Sequence, residues 1–329
     1  MDIDTVSKPA PAAEGKASRP GYATRLWQGW LAFVDSDLCY NFRTSRLTVV
    51  ATAVLALLLF AGICAPLLSH YNPFDMAAFD LMDSELPPAW VESGEARFWL
   101  GTDIQGRDVY SLILYGLRVS LIVGFISVLC AMALGVTLGV VSGYFGGTVD
   151  ALIMRLADAM LSFPTIMFAL LVSGAARGLL PQEMHEQMAV YIIVISITLT
   201  GWMQYARTVR GCTLLEGHKE YVQAAKVMGS GNLRIMFLHI LPNVLSPVLV
   251  LATLHLALAV LTEATLSFLG VGMPPNQPSL GTLINEGNKY LFSGQWWVVV
   301  FPSLVLVVLA LSVNLVGDWL RDALNPKLR

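Results

Sequence analysis

The sequence predicts an all-α integral membrane protein with six transmembrane helices. Only 13% of the 329 residues are charged and 56% are hydrophobic, whereas a soluble domain contains roughly 25% charged residues. Six windows without a charged side chain are each long enough to cross roughly 30 Å of hydrocarbon as a helix. These windows are 47–69, 119–145, 159–176, 188–206, 240–262 and 296–317.

The distribution of positive charge predicts that both chain termini lie in the cytoplasm. Fifteen of the 20 Lys and Arg residues fall before the first window, after the second, after the fourth and after the last. Because Lys and Arg accumulate on the cytoplasmic side of a membrane, residues 1–46 are predicted as a cytoplasmic tail. This tail contains either an interfacial helix or a plain linker with aromatic anchors. Residues 47–329 form the transmembrane domain.

The acidic, proline-containing segment 70–118 then lies outside, where we expect it to cap the outer end of the helix bundle.

Two acidic residues stand beside or within the apolar windows. Asp158 precedes the third window, which Pro164 interrupts, and Glu263 follows the fifth. A charge at the centre of a bilayer costs roughly 2.5–3.5 kcal/mol on insertion scales, so such residues usually face a cavity or a partner. Asp158 and Glu263 are therefore candidates for a cavity or gate; the alternative is a helix end where water satisfies the carboxylate. His255, inside the fifth window, is expected to be a packed or hydrogen-bonded histidine.

Glycines in the second window predict a close helix–helix contact. Gly135, Gly139 and Gly143 form two overlapping GxxxG patterns. In lipid, small residues at this spacing let two helix backbones approach closely. The contact could lie within the chain or between subunits.

The sequence lacks the common catalytic and nucleotide-binding signatures. Gly15-Lys16 has Ala10 where a phosphate-binding loop needs its first glycine, and His185-Glu186 is followed by Ala189, so the zinc-protease pattern also fails. The five histidines and four cysteines are scattered without metal-ligand spacing. We expect no catalytic residue, metal site, disulfide or nucleic-acid partner.

A polar loop, residues 207–242, separates the fourth and fifth windows. Within it, residues 220–243 read EYVQAAKVMGSGNLRIMFLHILPN. A first helix would place on one exposed face Glu220, Gln223, Ala224 and Val227. Because the side chains of the neighbouring Ala224 and Ala225 are small, another protein could approach the helix backbone closely at this surface.

Gly229 is expected to end this first helix, and Pro242 to begin the next. Between them, a second helix from Asn232 to His239 would rest on the bundle through Leu233, Met236, Phe237 and Ile240.

This loop resembles the EAA loop of the inner-membrane permeases of ATP-binding-cassette importers, EAA-x3-G-x9-I-x-LP. The matching residues are Ala224, Ala225, Gly229, Leu241 and Pro242, while Gln223 replaces the glutamate and His239 the isoleucine. Glu220, Tyr221, Val222, His239 and Asn243 fit the form found in the peptide/nickel branch. Segments 100–121, 143–150 and 261–281 also resemble the C-type peptide permeases of this branch.

The resemblance implies a subunit of an ATP-driven importer in a bacterial inner membrane. Its expected partners are a second permease subunit, two ATPase subunits that bind ATP and magnesium, and a substrate-binding protein that delivers di- or oligopeptides. The permease itself would need no cofactor. The same machinery could instead carry nickel chelates or another small solute. The residues expected to couple to the ATPase are Glu220, Tyr221, Gln223, Ala224, Ala225, Gly229, Leu241 and Pro242. We expect Glu220 to supply the charge that Gln223 lacks.

Two other classes of membrane protein fit less well. An ion-coupled carrier favours paired internal repeats and several buried carboxylates, yet only Glu263 is a clear candidate and no matching half is visible. An intramembrane hydrolase would need a polar constellation inside the windows, which the sequence does not supply.

Overall fold

A computed structural model describes residues 42–75 and 79–324 of the chain, and this part is helical apart from turns and one isolated bridge between Thr102 and Asp108. The chain divides into two units, residues 1–45 and 46–329. The predicted tail and interfacial helix therefore lie almost wholly outside the described residues. The α-helices of the second unit are α1 Arg46–Ile63, α2 Ala65–Leu68, α3 Val109–Phe145, α4 Gly147–Leu161, α5 Thr165–Leu179, α6 His185–Glu216, α7 Glu220–Val227, α8 Asn232–Arg234, α9 Leu241–Phe268, α10 Leu280–Tyr290 and α11 Trp297–Leu324.

Five helical segments are long and apolar enough to cross a membrane, by length and composition. They contain α1, α3, α6, α9 and α11. A sixth crossing exists only if α4 and α5 count together, because this pair is bent by 98° at the residues between them. The predicted third window, 159–176, is therefore not one continuous helix. Helix α4 ends shortly before Pro164, because proline lacks a backbone N–H and drives the preceding residue away from helical geometry.

Two boundaries differ from the sequence-based prediction. Helix α3 begins at Val109, not at 119, because the Asp108 carboxylate accepts hydrogen bonds from the backbone N–H groups of Tyr110 and Ser111 and caps the helix. The external segment thus ends at Asp108. Helix α6 continues to Glu216, so residues 207–216, predicted as loop, are helical. The two arginines in this stretch pair with carboxylates of α4. Arg207 pairs with Asp158, and Arg210 Nη2 lies 2.6 Å from Asp150 Oδ2.

The three glycines of α3 lie against the backbone of α6. A Cβ atom on Gly135 would stand 2.4 Å from the Trp202 carbonyl oxygen, and one on Gly139 would stand 2.6 Å from that of Ala206. At Gly143 the nearest atom would be Thr213 Cβ, at 2.7 Å. Because none of these distances admits a methyl group, the glycine side of α3 and the facing side of α6 form a close contact within the chain.

The segment that precedes α3 is fastened to the start of α11. The Trp297 indole N–H donates to the Thr102 carbonyl oxygen at 2.9 Å. The Arg107 guanidinium forms a buried pair with Asp103 at 2.7 Å. Since both residues belong to the segment, this pair holds the turn that directly precedes α3.

Candidate functional site

The candidate site is built on α7, between α6 and α9. Its inward face carries Val222 and Ala225, which are 0% and 2% exposed. They belong to the same buried apolar cluster as Val209 of α6. The prediction that Ala225 shares the exposed face with Ala224 is wrong: adjacent residues point about 100° apart on a helix, and Ala225 packs inward.

The outward face of α7 carries Glu220, Gln223, Ala224 and Val227, all of them exposed. Among the described residues, the Glu220 carboxylate makes no hydrogen bond or ion pair. The Gln223 amide instead donates to the Gly217 carbonyl oxygen at 2.8 Å. The free charge on this face thus belongs to Glu220, while Gln223 braces the turn that precedes α7.

Gly229 ends α7 with a left-handed backbone, at a φ of 74°. Its N–H donates to the Lys226 carbonyl oxygen at 3.0 Å, and the next N–H, that of Ser230, donates to the Ala225 carbonyl oxygen at 3.0 Å. These bonds satisfy the carbonyl groups that a helix end leaves without partners. Glycine is required here because other L-residues are strained at positive φ.

The chain continues through α8 and a π-helical turn, Ile235–Ile240, that runs directly into α9. Ile235, Met236 and Ile240 are fully buried, whereas Leu233 and Phe237 are 69% and 48% exposed. The prediction that Leu233 and Phe237 rest on the bundle is therefore wrong. A π-helix bonds residues five apart, so the regular helical spacing behind that prediction does not hold here.

Tyr221 fastens α7 to its two neighbours. Its hydroxyl donates to Glu216 Oε2 at 2.7 Å and accepts from Asn243 Nδ2 at 3.1 Å. Burial, together with the adjacent Glu216 carboxylate, raises the pKa of Tyr221 to about 12, so the hydroxyl stays a donor at physiological pH. Half-buried Leu241 and exposed Pro242 form the first turn of α9, directly beneath this contact.

A second contact ties the far end of the loop to α3. The Tyr144 hydroxyl donates to Asn232 Oδ1 at 2.9 Å, and Lys226 Nζ lies 5.3 Å from the centre of the Tyr144 ring. Helix α7 is thus held from beneath by apolar packing and at both ends by polar contacts, while its outer face is left free. Helix α7 therefore contacts α3, α6 and α9 directly.

The two candidate carboxylates occupy different surroundings. Glu263 is fully buried and accepts hydrogen bonds from Ser120 at 2.8 Å and Ser267 at 2.7 Å. Ser120 also accepts the N–H of Leu280, so this cluster joins α3, α9 and the start of α10. Asp158 is exposed and pairs with Arg207 at the end of α4.

A polar cavity halfway along α9 was not predicted from the sequence. It has a volume of about 300 Å³ and lies between α3, α5, α6 and α9. Its polar centre is His255, whose Nε2 lies 2.7 Å from Oε1 of Gln204. An uncharged glutamine at the end of an apolar window gave no charge signal by which to single it out. Within 42–75 and 79–324, no three His, Cys, Asp or Glu side chains are placed to hold a metal ion.

Comparisons with known proteins agree with this architecture. Residues 135–329 match the family model described as "Binding-protein-dependent transport system inner membrane component". The chain is 38% identical to the dipeptide transport system permease protein DppC of Haemophilus influenzae, over 89% of this chain and 95% of that protein. It is 33% identical to the oligopeptide transport system permease protein OppC of Bacillus subtilis, over 98% and 97%. The glutathione transport system permease protein GsiD of Pectobacterium atrosepticum is 35% identical, over 88% and 90%.

A solved structure supports the fold. The chain resembles an inward-facing structure of the MetNI methionine ABC transporter with a TM-score of 0.51 at 21% identity, over 65% of this chain and 96% of that one. Since the family model covers more than half of the chain and several relatives align over nearly their whole length, the chain belongs to the family of binding-protein-dependent transport system inner membrane components.

Proposed function

We propose that the chain is a permease subunit of an ATP-driven importer of di- or oligopeptides, and that α7 is its coupling helix. The observation that carries this proposal is the exposed outer face of α7 on a rigidly held base. The dipeptide and oligopeptide permeases among its relatives support the substrate class. A second permease subunit, two ATPases and a substrate-binding protein complete the assembly.

The proposed topology has six spans with both termini in the cytoplasm. The bent pair α4 and α5 serves as the third span, and the excess of Lys and Arg in alternate segments supports the orientation. In this topology α7 lies on the cytoplasmic side of an inner membrane. ATP and magnesium are bound there by the partner ATPases, because the chain contains no phosphate-binding loop.

In the proposed mechanism, α7 sits in a groove of an ATPase subunit. ATP binding can shift the permease between its conformations only by the difference in binding free energy between the two states. ATP binding can therefore rearrange α3, α6 and α9 only if these helices move together with α7. The contacts of Val222, Ala225, Tyr221 and Asn232 meet this requirement.

Uptake by cells that express the complete transport system tests the function. We expect radiolabelled L-alanyl-L-alanine to accumulate, and we expect vanadate, which traps the ATPases of this class, to stop the accumulation. Uptake that resists vanadate but collapses with the proton gradient would instead indicate an ion-coupled carrier. Mass spectrometry of the ligands bound to the cognate binding protein would separate peptides from nickel chelates.

Glu220→Ala is expected to weaken ATPase association more than Gln223→Ala. Glu220 presents the unpaired carboxylate on the docking face, whereas Gln223 is engaged with the carbonyl group of Gly217. Loss of a charged contact at the edge of an interface typically lowers affinity by several-fold. The measurement is the amount of ATPase that co-purifies with each variant.

The matched control is Glu183→Ala, the same change at an exposed position in the short helical turn before α6. It should retain all of the ATPase. Equal retention by the Glu220 and Gln223 variants would show that Glu220 does not replace the missing glutamate.

A further inference from the structure

The cavity between α3, α5, α6 and α9 places polar groups among helices that are otherwise apolar. It lies halfway along α9, where His255 is the central residue of Leu241–Phe268. Its remaining polar lining comes from α3, α5, α6 and α9 and consists of Ser127, Thr165, Thr200, Gln204, Thr262 and Thr265. A volume of about 300 Å³ is within the range of small-molecule sites.

Gln204 is the lining residue whose side chain is least compatible with surrounding lipid. It lies within an apolar segment of α6, yet its side chain is exposed. Its carbonyl oxygen is engaged with His255, while its amide N–H groups make no hydrogen bond among the described residues. An amide that lacks hydrogen-bond partners in hydrocarbon costs several kcal/mol, so this side chain must face water, a partner or a solute.

Two further groups of polar side chains lie along the same helices. On α6, Thr200, Gln204 and Arg207 fall on one face at i, i+4 and i+7, and the exposed ion pair of Arg207 with Asp158 extends it beyond the cavity. Toward the outer ends of α5, α6 and α9 lies a second cavity of about 350 Å³, whose charged lining residues are Arg177, Glu186, Glu286 and Lys289. Cations and carboxylates together suit a zwitterionic solute.

The opposite side of α6 is different in character. Ile195 is nine residues from Gln204, which places it on the other side of the helix. Ile195 and its neighbour one turn earlier, Tyr191, are 53% and 64% exposed. Apolar exposure of this kind is compatible with lipid. The polar face of α6 is thus a local feature and does not reflect general polarity of the helix.

We propose that this polar face lines the path of the solute, and that Gln204 and His255 form a station halfway along α9 that hydrogen-bonds the peptide groups of a passing substrate. This inference rests on the proposed function as a peptide importer. A peptide group offers one N–H donor and one carbonyl acceptor. The glutamine amide and the imidazole ring each provide both kinds of partner, so the station can exchange its internal bond for bonds to the solute.

Uptake of L-alanyl-L-alanine by the complete transporter tests the station. Gln204→Leu keeps the side-chain size but removes both hydrogen-bonding groups. We expect its maximal uptake rate to fall about tenfold or more, while the ATPases still co-purify. Gln204→Asn should retain most of the rate, and Ile195→Ala, the control on the same helix, should match the parent protein.

Cysteine reactivity provides an independent test that does not depend on the transport rate. In a background in which all four native cysteines are replaced by serine, Gln204→Cys should react with a water-soluble maleimide at least about ten times faster than Ile195→Cys, since only a hydrated thiol forms the reactive thiolate readily. Added L-alanyl-L-alanine and binding protein should slow the reaction.

The outcomes separate the two proposals. If the parent transporter takes up neither the dipeptide nor an alanine pentapeptide while the Gln204→Cys variant is water-accessible, the substrate class in the proposed function is wrong. If the parent takes up the dipeptide but Gln204→Leu transports at the parent rate, the station is wrong. Equal maleimide reactivity of the two cysteine variants would overturn the path itself.

Discussion

Gly229→Pro is expected to abolish peptide uptake while the protein still inserts into the membrane. Proline holds φ near −65° and has no N–H, whereas Gly229 has a φ of 74° and donates to the Lys226 carbonyl oxygen. Placing proline in this conformation costs about 3 kcal/mol of free energy, which would lower the population of the intact turn after α7 by roughly a hundredfold. Because the turn lies on one side of the bilayer, the membrane helices should be unaffected. Uptake of labelled dipeptide, normalised to the amount of permease in the membrane, is the measurement.

Gly231→Pro is the matched control, since the same change is made two residues further along. Gly231 already has a φ of −65°, and its N–H has no acceptor within the described residues, so uptake should persist. Ala225→Arg is a companion variant at the opposite face of the helix. It would bury an unpaired charge in the cluster beneath α7, which is strongly destabilising, and it too should abolish uptake. Normal uptake by the Gly229→Pro and Ala225→Arg variants would show that α7 does not couple to the ATPase.

Gly139→Leu is expected to destabilise the transmembrane domain. Even a single Cβ atom at this position would stand 2.6 Å from the Ala206 carbonyl oxygen, so α3 and α6 would have to separate. Overpacking of this kind costs about 2 kcal/mol or more, which lowers the ratio of folded to unfolded protein by roughly 30-fold. Size-exclusion chromatography of detergent-solubilised protein should show a larger aggregated fraction of the variant than of the parent protein.

Gly211→Leu provides the comparison on the exposed side of α6. A Cβ atom at Gly211 has no atom of another element within 4 Å in the part of the chain that the structure describes, and leucine favours a helix more than glycine does. This variant should elute as the parent protein does. A Gly139→Leu variant that is as monodisperse as Gly211→Leu would contradict the close approach of α3 and α6.

The main helices were predictable because apolar length determines where a chain can cross a membrane. The errors arose where polar side chains act within helices. Asp108 starts α3 earlier than the apolar window by capping it, and Arg207 and Arg210 extend α6 by pairing with α4. Neither effect appears in a count of charges: the cap of α3 is a local hydrogen-bonding pattern, and the extension of α6 depends on carboxylates that are distant in the sequence.

The candidate site was predictable in part. Its short helix, its glycine end and its entry into α9 followed from residue types with strong conformational preferences, of which Gly229 is the clearest. The burial of Ala225 could not be predicted, because alanine is neither polar nor bulky enough to indicate which side of a helix is buried. The inward packing of Ile235 also escaped notice, since a π-helical turn changes the periodicity on which such a prediction depends.

The central claim is that the outer face of α7 docks on an ATPase subunit, and a photo-crosslinker at Val227 tests it most directly. Val227 is 89% exposed at the end of that face, while Leu67, 85% exposed in α2, serves as the control. In the assembled transporter, illumination should join the Val227 variant to the ATPase in a product identified by mass spectrometry, and the Leu67 variant should give no such product. A Val227 crosslink to lipid or to the other permease subunit alone, without ATPase, would contradict the account.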